Sequence, residues 1–142
     1  MHTIFEILRL AGQLEPSFCL SVKNEPYLRL VIEDIQIPGP NGHPTLSVAH
    51  NGEQNGDAMR DPEVLFELVE ISGQLRLEPY YFRNDYLGVE QYSRLNRDGV
   101  ILVRPLLLRE HQRFARLWDR NVRAQGFVDG FRRRRAAEAT RQ

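Results

Sequence analysis

The side chains best equipped for chemistry stand together in His50-Asn51-Gly52-Glu53-Gln54-Asn55-Gly56-Asp57. An imidazole beside two carboxylates is the raw material of acid–base hydrolysis. The same groups can ligate a metal if they converge within about 2–2.5 Å of one ion. Asn51, Glu53 and Asn55 at alternate positions before Gly56 also touch the pattern of a calcium loop. That pattern fails at its anchors: Asn51 replaces the leading Asp, Pro62 stands where the bidentate Glu belongs, and no helix precedes the segment. No metal and no cofactor is expected. The competing reading is structural. Asn51-Gly52 and Asn55-Gly56 are turn dipeptides, and Glu53 and Asp57 can accept from loop N–H groups.

A second polar group follows in Arg83, Asn84, Asp85, Tyr86 and Glu90, within a stretch rich in Tyr80, Tyr81, Phe82 and Tyr92. Aromatics beside Arg and Asn can stack a base or anchor a partner; Tyr and Phe also fill sheet faces for their own sake. The best-known catalytic signatures are missing. The chain has no Gly-rich phosphate loop, dinucleotide fingerprint, His-Glu-x-x-His pair or Gly-x-Ser-x-Gly elbow.

Charge is divided along the chain. Residues 104–142 hold 11 arginines against four acids, and residues 1–103 hold eight basic against 15 acidic residues. The formal net charge is zero, which argues against strong nonspecific DNA binding. Within the basic segment Arg113, Arg116, Arg120 and Arg123, with the run Arg132, Arg133, Arg134 and Arg135, are the candidates for nucleic-acid contact. Cys19 is the only cysteine, which excludes an internal disulfide and fits a reducing cytosol. No signal peptide or membrane span is read from the sequence, so no membrane partner and a cytoplasmic location are expected.

The elements that position these groups follow from periodicity. Thr3 and Glu6 form a capping-box pair ahead of Ile4, Ile7, Leu8 and Ala11 at helical spacing, with Gly12 as the stop. Alternation gives a short strand at 18–22 and a strong one at 27–37, with a parity switch at Glu33-Asp34 that predicts a bulge there. A third strand carries Leu46 and Val48, and His50 continues their face to the edge of the core. A polar loop is expected over 51–61, with Asp61-Pro62 able to open a helical turn. Strands over 64–71, 75–82, 86–92 and 100–103 follow, the last three as a meander. Pro105 starts a long helix ending at Gly126, with Leu107, Phe114, Leu117, Trp118 and Val122 on one face. The whole reads as α+β. An antiparallel β-sheet of five or six strands carries a short N-terminal helix and a long C-terminal helix packed on one face. Residues 1–128 form a single domain, and 129–142 a basic, frayed tail.

Several segments together resemble one family. They are Pro26-Tyr27-Leu28-Arg29-Leu30-Val31-Ile32-Glu33, then Ser47-Val48-Ala49-His50-Asn51-Gly52-Glu53-Gln54-Asn55-Gly56-Asp57, and Met59-Arg60-Asp61-Pro62-Glu63. With them go Tyr80-Tyr81-Phe82-Arg83-Asn84-Asp85-Tyr86-Leu87-Gly88-Val89-Glu90-Gln91 and the helical stretch from Phe114 to Phe127. They look like an uncharacterised domain-of-unknown-function family of accessory proteins encoded on bacterial plasmids, integrative elements and phage-like islands. The resemblance implies a bacterial, cytoplasmic, mobile-element accessory protein and carries over no catalytic residue. The leading expectation is an adaptor that binds a macromolecule, with a protein partner favoured over nucleic acid. The alternatives are a small metal-dependent or acid–base hydrolase using residues 50–57, and a nucleic-acid binder using the arginine-rich helix.

Overall fold

Aliphatic residues at alternate positions give each strand one apolar face, and the shared register of those faces decides where the helices sit. The computed structural model describes residues 1–140. Its elements are α1 (His2–Ala11), β1 (Cys19–Val22), β2 (Arg29–Pro38), β3 (Pro44–Gln54), β4 (Asp57–Ile71), β5 (Gln74–Asn84) and β6 (Val89–Tyr92). They are followed by β7 (Arg94–Arg97), β8 (Val100–Val103), α2 (Pro105–Ala124) and α3 (Phe127–Thr140). Strands β1 to β6 form one antiparallel sheet in chain order, and β7 pairs with β8 as a separate hairpin. The fold class is the expected α+β.

Leu20, Ile32, Val48, Val64 and Phe82 are successive cross-strand partners on the covered face. The next row runs Val22, Leu30, His50. Against this face pack Ile4 and Ile7 of α1, Ala115, Trp118 and Val122 of α2, and Phe127, Val128 and Phe131 of α3. Burying each large apolar side chain stabilises the fold by about 1.5–3 kcal/mol.

Several local expectations change. The polar stretch 51–61 is strand, not loop. Asn51 pairs with Arg60, Gly52 with Met59, Glu53 with Ala58 and Gln54 with Asp57. Only Asn55 (φ 52°) and Gly56 (φ 83°) form the turn, and two successive positive φ values give the twist that a two-residue hairpin requires. Polarity marks solvent exposure here, not loss of pairing. Asp61-Pro62 opens no helical turn; the β3–β4 register shifts between Ala49 and Asn51, beside the proline that has no N–H to give. The irregularity in β2 falls between Asp34 and Pro38, just past the predicted switch, with Gln36 at φ 60°.

At the N-terminus Thr3 is no cap. Met1 is the N-cap position, and Thr3 is fully buried, with its N–H donating to Asp119 Oδ1 at 3.0 Å. The meander stops at β6, and β8 leaves the sheet. Beyond residue 128 the expected frayed tail is helix α3, tied down by buried Phe127, Val128, Gly130 and Phe131; its last two residues, 141 and 142, lie outside the described residues.

One ion pair holds the separate hairpin on the sheet. Glu67 of β4 is 0% exposed. Its Oε2 accepts from the backbone N–H groups of Asn41 (3.1 Å) and His43 (3.2 Å), and its Oε1 lies 3.1 Å from the Arg94 guanidinium of β7. Arg94 also donates to the carbonyls of Glu78 and Pro79. Gly39 is required beside it, since a Cβ there would sit 2.1 Å from Glu67 Cγ. Removing one member of a buried pair strands the other charge. Glu67→Ala is therefore expected to lower the unfolding free energy by about 3–5 kcal/mol in urea titrations, and Arg94→Met in that background to recover part of the loss. A loss below about 0.5 kcal/mol, the range of ordinary surface substitutions, contradicts the clamp.

Candidate functional site

His50 ends the apolar run of β3, so strand parity turns its ring inward. It is 8% exposed and packs 5.5 Å from the Trp118 ring and 5.4 Å from the Phe127 ring. Its Nδ1 lies 3.1 Å from the Leu28 carbonyl, which can only accept, so Nδ1 carries the proton. Burial among aromatics pushes the pKa of His50 down, against the opposing pull of the Leu28 and Arg29 backbone. The ring is neutral and held at a core edge.

The polar neighbours on β3 and β4 lie elsewhere. Glu53, Asn55 and Asp57 are all exposed at the tip of the β3–β4 hairpin. They do not join His50, which faces the helices. Among the described residues no group of three or more His, Cys, Asp or Glu could hold a metal ion.

The Arg83–Glu90 segment does meet this hairpin. The turn after β5 is laced onto β4 through Asp85, whose N–H donates to the Arg60 carbonyl while its Oδ2 accepts from the Arg60 N–H, both at 2.8 Å. Arg83 donates to the other carboxylate oxygen, Oδ1. Burial pushes the Asp85 carboxyl upward, but the Arg60 N–H and the Arg83 guanidinium outweigh it and hold the group below the usual carboxylate range. Buried Asn84 donates to Asp61 Oδ1 at 2.6 Å and accepts from the Leu87 N–H. Glu90 accepts from the Tyr81 hydroxyl at 3.2 Å. Burial, assisted by that carboxylate, pushes the Tyr81 phenol up to about 12.

These bonds place Tyr86 over Gly52. A Cβ at Gly52 would lie 2.5 Å from the Tyr86 hydroxyl and 3.3 Å from a Leu28 methyl. The glycine lets the Tyr86 ring approach this closely, and Leu28, Gly52 and Tyr86 meet at one end of the sheet. Tyr27, Leu28, Tyr86 and Leu87 are exposed there, Leu87 by 73%. Asn84, Asp85 and Glu90 serve as ties, while the large exposed side chains beside them are apolar.

The arginines divide by use. Arg123 and Arg132 pair with Glu6 of α1, Arg133 donates to Asn24, Arg134 bonds Glu138 and the Ser21 carbonyl, and Arg135 donates to the Ala11 carbonyl. Arg113, Arg116 and Arg120 are exposed, and with Arg109 they have no salt-bridge partner among the described residues. At 3.6 residues per turn these four lie within ~60° of one another around α2.

Three features escaped prediction. One is the Glu67 clamp. Another is buried His111, whose Nδ1 lies 2.8 Å from Ser93 Oγ and Nε2 3.1 Å from Gln91 Oε1. The amide oxygen accepts from Nε2–H, so the Ser93 hydroxyl donates to Nδ1; Ser93 is fully buried, which bars it from acting as a nucleophile on solvent-borne substrate. The third is the exposure of the aliphatic strand β8, visible in the sequence as Val100-Ile101-Leu102-Val103 but read there as the last strand of the meander.

The family model described as "Domain of unknown function (DUF6908)" matches residues 2–128, from α1 to the first turn of α3. No curated protein and no solved structure matches the chain. Among the described residues no helix is long and apolar enough to cross a membrane.

His50 and His111 make stability depend on pH. Burial pushes both below the ordinary value of 6.5, so below that pH the unfolded chain binds more protons than the folded one. Stability is therefore expected to fall as pH drops below 6.5 and to level off beneath the folded-state pKa values. Chemical denaturation across that window should show a smaller pH slope for His50→Gln than for the parent; an unchanged slope contradicts the burial account.

Proposed function

We propose that the chain, which belongs to the DUF6908 family, acts as an adaptor that binds a protein partner through the end of the sheet bearing Tyr27, Leu28, Tyr86 and Leu87. The observation that carries this reading is the pairing of spent polar groups with unspent apolar ones. Asp85, Asn84 and His50 use their hydrogen-bonding capacity on Arg60, Asp61 and Leu28, whereas four large apolar side chains face water. Tyr and other aromatics held rigid by their neighbours are the usual anchors of protein interfaces. The resemblance to accessory proteins of bacterial mobile elements supports a partner in the cytoplasm of a cell carrying such an element.

A photo-reactive phenylalanine analogue placed at Leu87 tests the proposal in cells. A discrete protein adduct is expected from position 87 and not from exposed Glu70 on β4, and it should disappear with Tyr86→Ser. No adduct at 87, together with purified protein that turns over a phosphoester or ester and loses that activity in His50→Ala, contradicts it.

The free arginines of α2 favour a second reading, a nucleic-acid surface. Arg109, Arg113, Arg116 and Arg120 span about 16–17 Å along the helix axis. Each neutralised phosphate adds about −0.9 to the slope of log K against log salt, so four contacts give a slope of roughly −3 to −4 on duplex DNA. Replacing Arg113, Arg116 and Arg120 by Gln should flatten that slope to near −1. Absence of binding at low salt rules this reading out.

A further inference from the structure

The β7–β8 hairpin carries the longest run of consecutive exposed apolar residues among the described residues. Val100 is 60% exposed, and Ile101, Leu102 and Val103 are exposed with it. Because side chains alternate along a strand, these four leave both faces of β8 open. Its only strand partner among the described residues is β7, in the register Arg94–Val103, Leu95–Leu102, Asn96–Ile101, Arg97–Val100.

The turn fixes which backbone groups are free. Asp98 (φ 53°) and Gly99 (φ 84°) form a two-residue hairpin turn, which makes Arg97 and Val100 a hydrogen-bonded pair. Bonding then alternates, so Val100 and Leu102 bond inward to β7 while Ile101 and Val103 present their N–H and C=O groups outward. Free edges are normally guarded by lysine, proline, a bulge or an inward charge. Val100-Ile101-Leu102-Val103 contains no charged residue and no proline, and its pairing with β7 is free of any register shift.

We propose that β8 pairs antiparallel with β8 of a second copy of this chain, about a two-fold axis at Ile101, to give a four-stranded sheet. The sequence of the edge is self-complementary in that register. Ile101 lies opposite itself and Val100 opposite Leu102 of the second copy, so apolar side chains meet on both faces. The same register brings Asp98 of the turn beside Arg104 of the second copy, and the two-fold repeats the contact at the other end. Arg104 keeps extended geometry (φ −103°, ψ 96°), which continues the strand to that position. Neither Asp98 nor Arg104 has an ion-pair partner within the chain among the described residues. Leu106, 72% exposed in the first turn of α2, extends the apolar surface beyond the strand. The proposal is independent of the adaptor reading, which uses the other exposed end of the fold.

Sedimentation equilibrium of the full chain over a concentration series reads the assembly. A dimer that dissociates on dilution is expected, since a short strand pair is smaller than a standard interface. Ile101→Asp should shift it to monomer, as should Val103→Pro, which deletes an outward N–H and no inward one; retained circular dichroism shows that both variants remain folded. Register is read by cysteine oxidation in a Cys19→Ser background. Opposed residues of such a pair have Cα atoms about 4.5–5.5 Å apart, within disulfide reach. Ile101→Cys should give a covalent dimer and Val100→Cys should not. A monomer at every concentration, a dimer unchanged by both edge variants, or cross-linking through position 100 in place of 101 overturns the proposal.

Discussion

A carboxylate with no access to water is stable only where its surroundings meet its charge and lone pairs, and Glu67 is such a group at the centre of this fold. It ties to the middle of β4 two parts of the chain that the strand ladder leaves loose, the Pro38–His43 connection and, through Arg94, the β7–β8 hairpin. The hairpin has no ladder to the main sheet, so this ion pair, with the Arg94 bonds to Glu78 and Pro79 and the Asn96 bond to Pro40, sets where the exposed β8 edge points. A second long-range tie does the same for the helices. Asp119 of α2 accepts from the Thr3 backbone and lies within hydrogen-bond distance of the Thr3 hydroxyl, pinning α1 to α2.

The same economy governs the residues that first drew attention. His50, Asn84, Asp85 and Glu90 each have a partner within the fold. Their geometry explains order at one end of the sheet. What that end offers to the outside is Tyr27, Leu28, Tyr86 and Leu87, supported from beneath by Gly52 and the Arg60–Asp85 bonds.

Much of this was legible in the chain because periodicity reports burial. Leu46, Val48 and His50 share parity, and that alone placed the imidazole at the core edge; Pro105 marked the start of α2 and Gly126 its end. The errors came where one signal has two meanings. Asn51 to Asp61 are polar because they lie in an exposed hairpin, and polarity was read as loop. Phe127, Val128 and Phe131 are separated by Asp129 and Gly130 and followed by four arginines, so composition hid a helix anchored by three apolar side chains. Thr3 and Glu6 have the spacing of a capping box, yet tertiary partners at Asp119 and Arg123 claim both. Glu67 gave no local signal, because its partners lie 24 to 27 residues away in sequence.

The central claim is that the histidine in the most chemistry-like stretch is a structural group. Nitrogen-15 NMR of His50 tests it most directly, by reading tautomer and titration together. The account predicts a neutral ring protonated on Nδ1 at neutral pH, titrating below 6.5 and unmoved by added zinc or calcium. A ring that titrates at or above 6.5, carries its proton on Nε2, or shifts on metal addition contradicts it.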